Sequence, residues 1–187
     1  MTVRLRNSAD SWGAVARGFH WLIAALILVQ FAVGSIAEEM KLTPAKLDLF
    51  VWHKSIGVTV LLLALLRLAW RLANPPPAPP SGMPNWEHKL AALAHGLIYA
   101  LIFAVPLSGW LVSDASRVPF KAYFVVPMPD FIATNHDVQE AAAEVHEVLT
   151  TALLLLVILH VAAALRHHFL LRDDVLRRML KGRSSRN

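Results

Sequence analysis

Residues 146–168 read His-Glu-Val-Leu-Thr-Thr-Ala-Leu-Leu-Leu-Leu-Val-Ile-Leu-His-Val-Ala-Ala-Ala-Leu-Arg-His-His. No charged residue falls between Glu147 and Arg166. An apolar run of about 20 residues is what a helix needs to cross about 30 Å of hydrocarbon. Lipid offers the backbone no partners, so such a run has to be helical. The same run carries His146 and His160. At ~100° and ~1.5 Å per residue they lie about 40° apart around the axis and about 21 Å apart along it. One helix therefore presents two imidazoles on nearly one face, at two depths.

Three more apolar runs precede it. The spans read as helices over roughly residues 18–37, 49–72, 90–112 and 145–168. The first contains one strongly polar residue, Gln30, and the third contains Pro106, which is expected to kink it. The chain thus reads as a single membrane domain over residues 1–187. Its expected fold is all-α, a four-helix transmembrane bundle. Composition agrees: 56% of the 187 residues are hydrophobic, 17% are charged, and mean hydropathy is +0.50. A soluble domain carries about a quarter charged residues. The run Pro75-Pro76-Pro77, followed by Pro79 and Pro80, reads as an extended connection between the second and third spans. Residues 113–141 read as a longer loop. The first span follows a basic N-terminus without a small-residue cleavage site, so it reads as a membrane helix and not as a signal peptide.

Charge sets the expected orientation. Thirteen of the 18 Lys and Arg residues flank one side, among them Arg17, Arg67, Arg71, Arg166 and Arg178. Five flank the other: Lys41, Lys46, Lys54, Arg117 and Lys121. Lys and Arg accumulate on cytoplasmic ends, so both termini are expected to be cytoplasmic. The pI near 10.0 has the same origin and does not point to nucleic acid. The absence of cysteine excludes thiolate zinc sites, iron–sulfur clusters and covalently attached c-type haem.

Nine histidines remain as metal ligands. A titratable group inside a membrane span is costly and faces the bundle interior for a reason. His20 and His160 both lie near the basic side, on the first and fourth spans. His53 and His146 both lie near the other side, on the second and fourth. Two imidazoles at one depth suit the axial positions of a haem iron, and bis-histidine ligation favours electron transfer over gas binding. Zinc would want three or four ligands at one depth. The expected cofactor-binding and iron-ligating set is therefore His20, His53, His146 and His160, holding two haems b. His95 is a weaker candidate: an alternative ligand opposite His160, a hydrogen-bond donor to a propionate, or a polar interior residue. His136 reads as exposed, and His167 and His168 read as contacts to lipid phosphate. Glu147 either couples to the ligand sphere or faces water. Trp21, Trp52 and Trp110 read as interfacial anchors.

These residues resemble the prokaryotic cytochrome b561 family of four-helix di-haem proteins. The resemblance rests on Arg17-Gly18-Phe19-His20-Trp21, His53-Lys54-Ser55-Ile56-Gly57, His88 through Tyr99, His146-Glu147 and His160 through His168, and covers nearly the whole chain. It implies a multi-pass protein of the bacterial inner (plasma) membrane, in lipid, with haem ligation by the four named histidines and electron exchange with quinone, ubiquinone being the expected acceptor. One branch of the family further implies superoxide oxidase activity. Superoxide is an anion, so cations near the outer site would speed its arrival. Arg117 and Lys121, with Lys54, are the candidates; solvated loop charge is the plainer reading of Arg117 and Lys121. Two rivals stay open: a haem-bearing subunit that docks a separate redox protein, and a non-redox transporter that uses histidines for protons or metal.

Overall fold

Thr43-Pro44 opens a helix five residues before the apolar count would. Thr43 Oγ1 accepts from Lys46 N at 3.4 Å, and proline takes the first turn, where its missing N–H costs nothing. The same lesson holds at every span of the computed structural model, which describes residues 4–79, 83–116 and 118–181. Helix α1 runs Ala14–Glu39, α2 Pro44–Ala73, α3 Asn85–Ala115 and α4 His136–Arg166. The largest difference from the sequence reading is in α4, which begins nine residues early. Asn135 caps it, its side chain accepting from Val138 N at 3.1 Å, and Asp137 complements the first-turn dipole. Apolar runs mark what lies in hydrocarbon; caps mark where a helix ends. Helix α3 continues through Pro106.

All four helices are long and apolar enough to cross a membrane. Large apolar side chains on their outer faces, such as Leu28, Leu66, Leu111 and Leu159, are exposed, as lipid-facing residues are. The shared core is Ile23 and Ile27 of α1, Val60 and Ala64 of α2, Ile102 of α3 and Leu153 of α4. Leu153 stands seven residues from His146 and seven from His160. The core therefore fills the bundle between the two histidine depths.

One end of the bundle gathers the described parts of both termini. A π-helical turn, His167–Leu171, follows α4 and stops at Arg172, whose φ is 53°. The short helix α5, Val175–Leu180, then packs back on α1. Arg17 Nη1 donates to Leu180 O at 3.0 Å and Trp21 Nε1 to Met179 O at 3.0 Å. Arg178 Nη1 donates to Ala78 O at 2.8 Å, and Asn7 Nδ2 to Asn74 O at 3.0 Å. We call this the basic end.

At the far end the α3–α4 connection is not featureless. Strands β1 (Lys121–Ala122) and β2 (Val126–Pro127) pair antiparallel around a tight turn. Tyr123 and Phe124 adopt φ of 52° and 64° there, which costs about 1–2 kcal/mol per non-glycine residue. Contacts with α2 offset the strain. Tyr123 N donates to the Oγ of fully buried Ser55 at 2.7 Å, its hydroxyl meets Thr59 Oγ1 at 2.6 Å, and its ring packs on Trp52. Asp114, buried at the end of α3, accepts Phe131 N at 2.8 Å and Ile132 N at 3.0 Å through one carboxylate oxygen.

Asp114→Ala should therefore loosen this connection without touching the spans. Two charge-assisted bonds at about 1.5–3 kcal/mol each predict a clear fall in thermal midpoint and faster proteolysis between 128 and 135. An unchanged cleavage rate would show that the carboxylate does not pin the loop.

Candidate cofactor site

Each of the four candidate histidines sits about two to three turns from the polar end of a long apolar helix and points across the bundle. His53 of α2 and His146 of α4 face each other at the far end, ring centres 6.4 Å apart and planes at 86°. His20 of α1 and His160 of α4 do so at the basic end, 6.2 Å apart and at 72°. These are nearly one distance. Two metal–nitrogen bonds of about 2.0 Å and two ring radii of about 1.1 Å sum to about 6.2 Å, the separation of two imidazoles that share one metal. Among the described residues no group of three or more His, Asp or Glu side chains converges on a metal position, as a zinc site requires.

The far-end pair lines a cavity of about 700 Å³, within the usual range for ligand sites. Glycine clears the space on both sides. A Cβ at Gly34 of α1 would lie 3.0 Å from His53 Cε1, and one at Gly109 of α3 would lie 3.0 Å from His146 Cε1. Any larger residue would push an imidazole off its line. Helix α3 also fixes the second ring: His146 Nδ1 lies 3.0 Å from Val105 O and 2.9 Å from Ser108 Oγ. A carbonyl only accepts, so Nδ1 carries the proton and Nε2 keeps its lone pair for a metal. The hydroxyl of Ser108 itself donates to Val105 O at 2.8 Å. His53 is held differently. Its backbone carbonyl accepts Gln30 Nε2 at 2.8 Å, while its Nδ1 is buried without a partner. The cavity, the glycine clearances and the free Nε2 together fit a large planar group with an axial metal.

At the basic end His95 of α3 comes within 5.3 Å of His160, ring centre to ring centre. That is about 1 Å too close for a metal between them, by the same sum of bond lengths. His95 is also more exposed than the other four.

The remaining candidates scatter. Lys54 Nζ lies 5.5 Å from the centre of the Phe120 ring, and both residues line the far-end cavity. Lys121 is exposed on β1. Arg117 lies outside the described residues. Glu147 lines the cavity but makes no bond to His146. His136 is exposed and pairs with Glu140 at 3.6 Å. His167 differs from the sequence reading: its Nδ1 bonds Asp173 Oδ2, so an internal carboxylate takes the place given to lipid phosphate. The sequence reading missed Gly34, Gly109 and Ser108. A glycine one turn from the lone glutamine of its span was the available signal for Gly34.

Comparison with known proteins identifies relatives along nearly the whole chain. The sequence model of the family described as prokaryotic cytochrome b561 matches residues 11–182. The chain is 34% identical to cytochrome b561 homolog 2 of Escherichia coli (strain K12) over 186 residues, 96% of this chain and 95% of that protein. It is 29% identical to the probable superoxide oxidase CybB of Yersinia pestis over 172 residues, 87% of this chain and 92% of that protein.

The glycine clearances are directly testable. Gly109→Ala should lower the haem-to-protein ratio of the purified chain. Gly96→Ala on the same helix, where a Cβ meets nothing within 4 Å, should leave the ratio unchanged and gain up to about 1 kcal/mol of helix stability. Equal ratios in both variants would remove the cradle from the argument.

Proposed function

Because the chain belongs to the prokaryotic cytochrome b561 family, and is thereby a bacterial membrane haem protein, we propose that it is a di-haem b electron carrier that oxidises superoxide and reduces ubiquinone. His53 and His146 hold one haem; His20 and His160 hold the other. The observation that carries this reading is the pair of matched ring separations, 6.4 and 6.2 Å, at two depths of one bundle. When bound, the haem supplies one-electron chemistry. The protein supplies the rest. Holding haem through two imidazoles each, the pairs His53/His146 and His20/His160 would favour electron transfer over gas binding. Val105 and Ser108 orient His146. The apolar core between the levels excludes water.

The reaction balances simply. Two superoxide anions lose one electron each and leave two molecules of dioxygen. One ubiquinone gains two electrons and two protons. The substrate is suggested by the printed name of the Yersinia relative. Lys54 and Lys121, with Arg117 from the sequence reading, raise the encounter rate of a small anion at the far end. The basic end then faces the cytoplasm and the far end faces outward across the inner membrane, in accord with the charge bias.

A second reading keeps both haems but gives the far end to a separate redox protein, with no oxidase activity of the chain's own. The exposure of Val125 and Phe131 on the far-end connection, 76% and 71%, favours it. Purified protein mixed with a superoxide source and quinone separates the two. Haem reduction supports the oxidase; its absence supports the docking subunit.

A pyridine haemochrome assay should give two haems b per chain. His146→Ala should lose one and keep the other, whereas His95→Ala should keep both. A His146→Ala protein with two haems would break the ligand assignment. Lys121→Glu should slow the superoxide reaction, and the deficit should shrink as salt rises, since exposed charges are screened. A salt-independent rate would argue against steering.

A further inference from the structure

Arg67 lies six residues from the basic end of α2. His20 lies six from the same end of α1, and His160 six from that end of α4. At ~1.5 Å per residue all three leave the backbone about 9 Å in from that end. Arg71 lies one turn nearer the surface on the same face. Neither side chain stands out in a loop. Their guanidinium carbons lie 5.4 and 5.7 Å from the centre of the Tyr99 ring. Tyr99 follows His95 by one turn of α3, and the ring of His95 stands against that of His160. The two cations are therefore neighbours of the basic-end imidazole pair.

Two like charges gathered on one ring repel each other. Charge inside a membrane bundle also needs a partner. Among the described residues neither arginine forms an ion pair. The carboxylates at that end are engaged elsewhere: Glu87 with Arg166, Asp173 with His167, Asp174 with Arg177, and Asp10 with the hydroxyl of Ser8. Trp70 has the same want. It lies between the two arginines in sequence, and its Nε1 is buried without an acceptor. Arg67, Trp70, Arg71 and Tyr99 line one small cavity. The cluster holds donors in excess and lacks an anionic acceptor.

We infer that Arg67 and Arg71, steadied by Tyr99, receive the propionate carboxylates of the basic-end haem. This rests on the two-haem reading above. His20 of α1 and His160 of α4 would hold the haem between them across the bundle, and one edge of a haem so held would face the basic end. Arg71, a turn closer to the surface than the imidazoles, is at the height of that edge. A guanidinium fork matches a carboxylate with two parallel bonds, which a lysine ammonium cannot do. The assignment also explains why two arginines are kept where a membrane helix would otherwise carry leucine.

The test uses the full chain in lipid nanodiscs. Redox titration followed in the visible spectrum gives two midpoints, and a His53→Ala variant identifies the one that belongs to the basic end. In Arg67→Gln/Arg71→Gln that midpoint should fall, because lost positive charge disfavours the added electron, and haem content should drop from two per chain toward one. The far-end midpoint should stay in place. Arg67→Lys/Arg71→Lys should restore most of the midpoint, since the charge returns without the fork. Arg71→Gln alone gives the same direction should the double variant fail to fold. Unshifted midpoints with two haems retained would overturn the inference. So would unshifted midpoints accompanied by loss of co-purifying anionic phospholipid, which would assign the pair to a lipid phosphate. A wild-type chain without two haems would instead sink the functional reading itself.

Discussion

An imidazole in hydrocarbon is costly and turns to the interior of the bundle. That constraint orders this structure more than any other. Five histidines of the long helices, His20, His53, His95, His146 and His160, turn toward one another, and the ring pairs define two levels. Helix α4 belongs to both levels, because fourteen residues return the chain to nearly the same face. The other helices arrange themselves around that face: α2 reaches the far level, α1 reaches the basic level, and α3 flanks both. Between the levels, where no polar group needs service, the core closes with Ile23, Ile27, Val60, Ala64, Ile102 and Leu153.

The two levels are built on different physics. At the far end the imidazoles are positioned by shape and hydrogen bonds. Glycines clear the rings, and a carbonyl with a hydroxyl fixes His146 Nδ1. At the basic end positive charge is the dominant feature, with Arg67 and Arg71 held on Tyr99. On the two-haem reading, fixed cations at one level favour the electron there, and among the described residues the far level lacks so close a pair. An electron entering at the far end then moves toward positive charge without any moving part.

How far the sequence disclosed this depends on what each feature leaves in it. The four spans were legible because hydrocarbon demands long uncharged runs, and the His146–His160 spacing was legible because helical geometry is fixed. Helix ends were less so. Thr43 and Asn135 set them through single side-chain bonds that a hydropathy count does not see. The folded connection at the far end was read as a loop, since its order comes from Ser55 and Asp114 on distant helices. Gly109 was invisible for the same reason, since an absent side chain matters only once its neighbour across the bundle is known, and Gly34 left only its place one turn from Gln30. Arg67 was read only as one of the charges that flank the basic side, and the position of Tyr99 shows that it turns toward the bundle.

One regularity has no trace in the sequence. In α1–α2, Gly34 gives clearance to His53, and the residue one turn before it, Gln30, bonds the His53 carbonyl. In α3–α4, Gly109 gives clearance to His146, and the residue one turn before it, Val105, bonds the His146 ring. The distances agree: 3.0 Å to Cε1 and 3.3 Å to Nδ1 in both pairs. Each antiparallel pair thus solves the same problem with a glycine on its first helix, a polar group one turn away, and a histidine on its second. The separation is 19 residues in the first pair and 37 in the second, because the second connection carries a hairpin. No fixed period survives that insertion, so self-comparison of the chain finds no repeat. The likeness is one of packing constraint. An imidazole that must stand clear of a neighbouring helix needs glycine opposite it, and a polar group one turn away bonds the histidine, at its backbone carbonyl in His53 and at its ring in His146. Two helix pairs facing the same demand arrive at the same local answer from different residues.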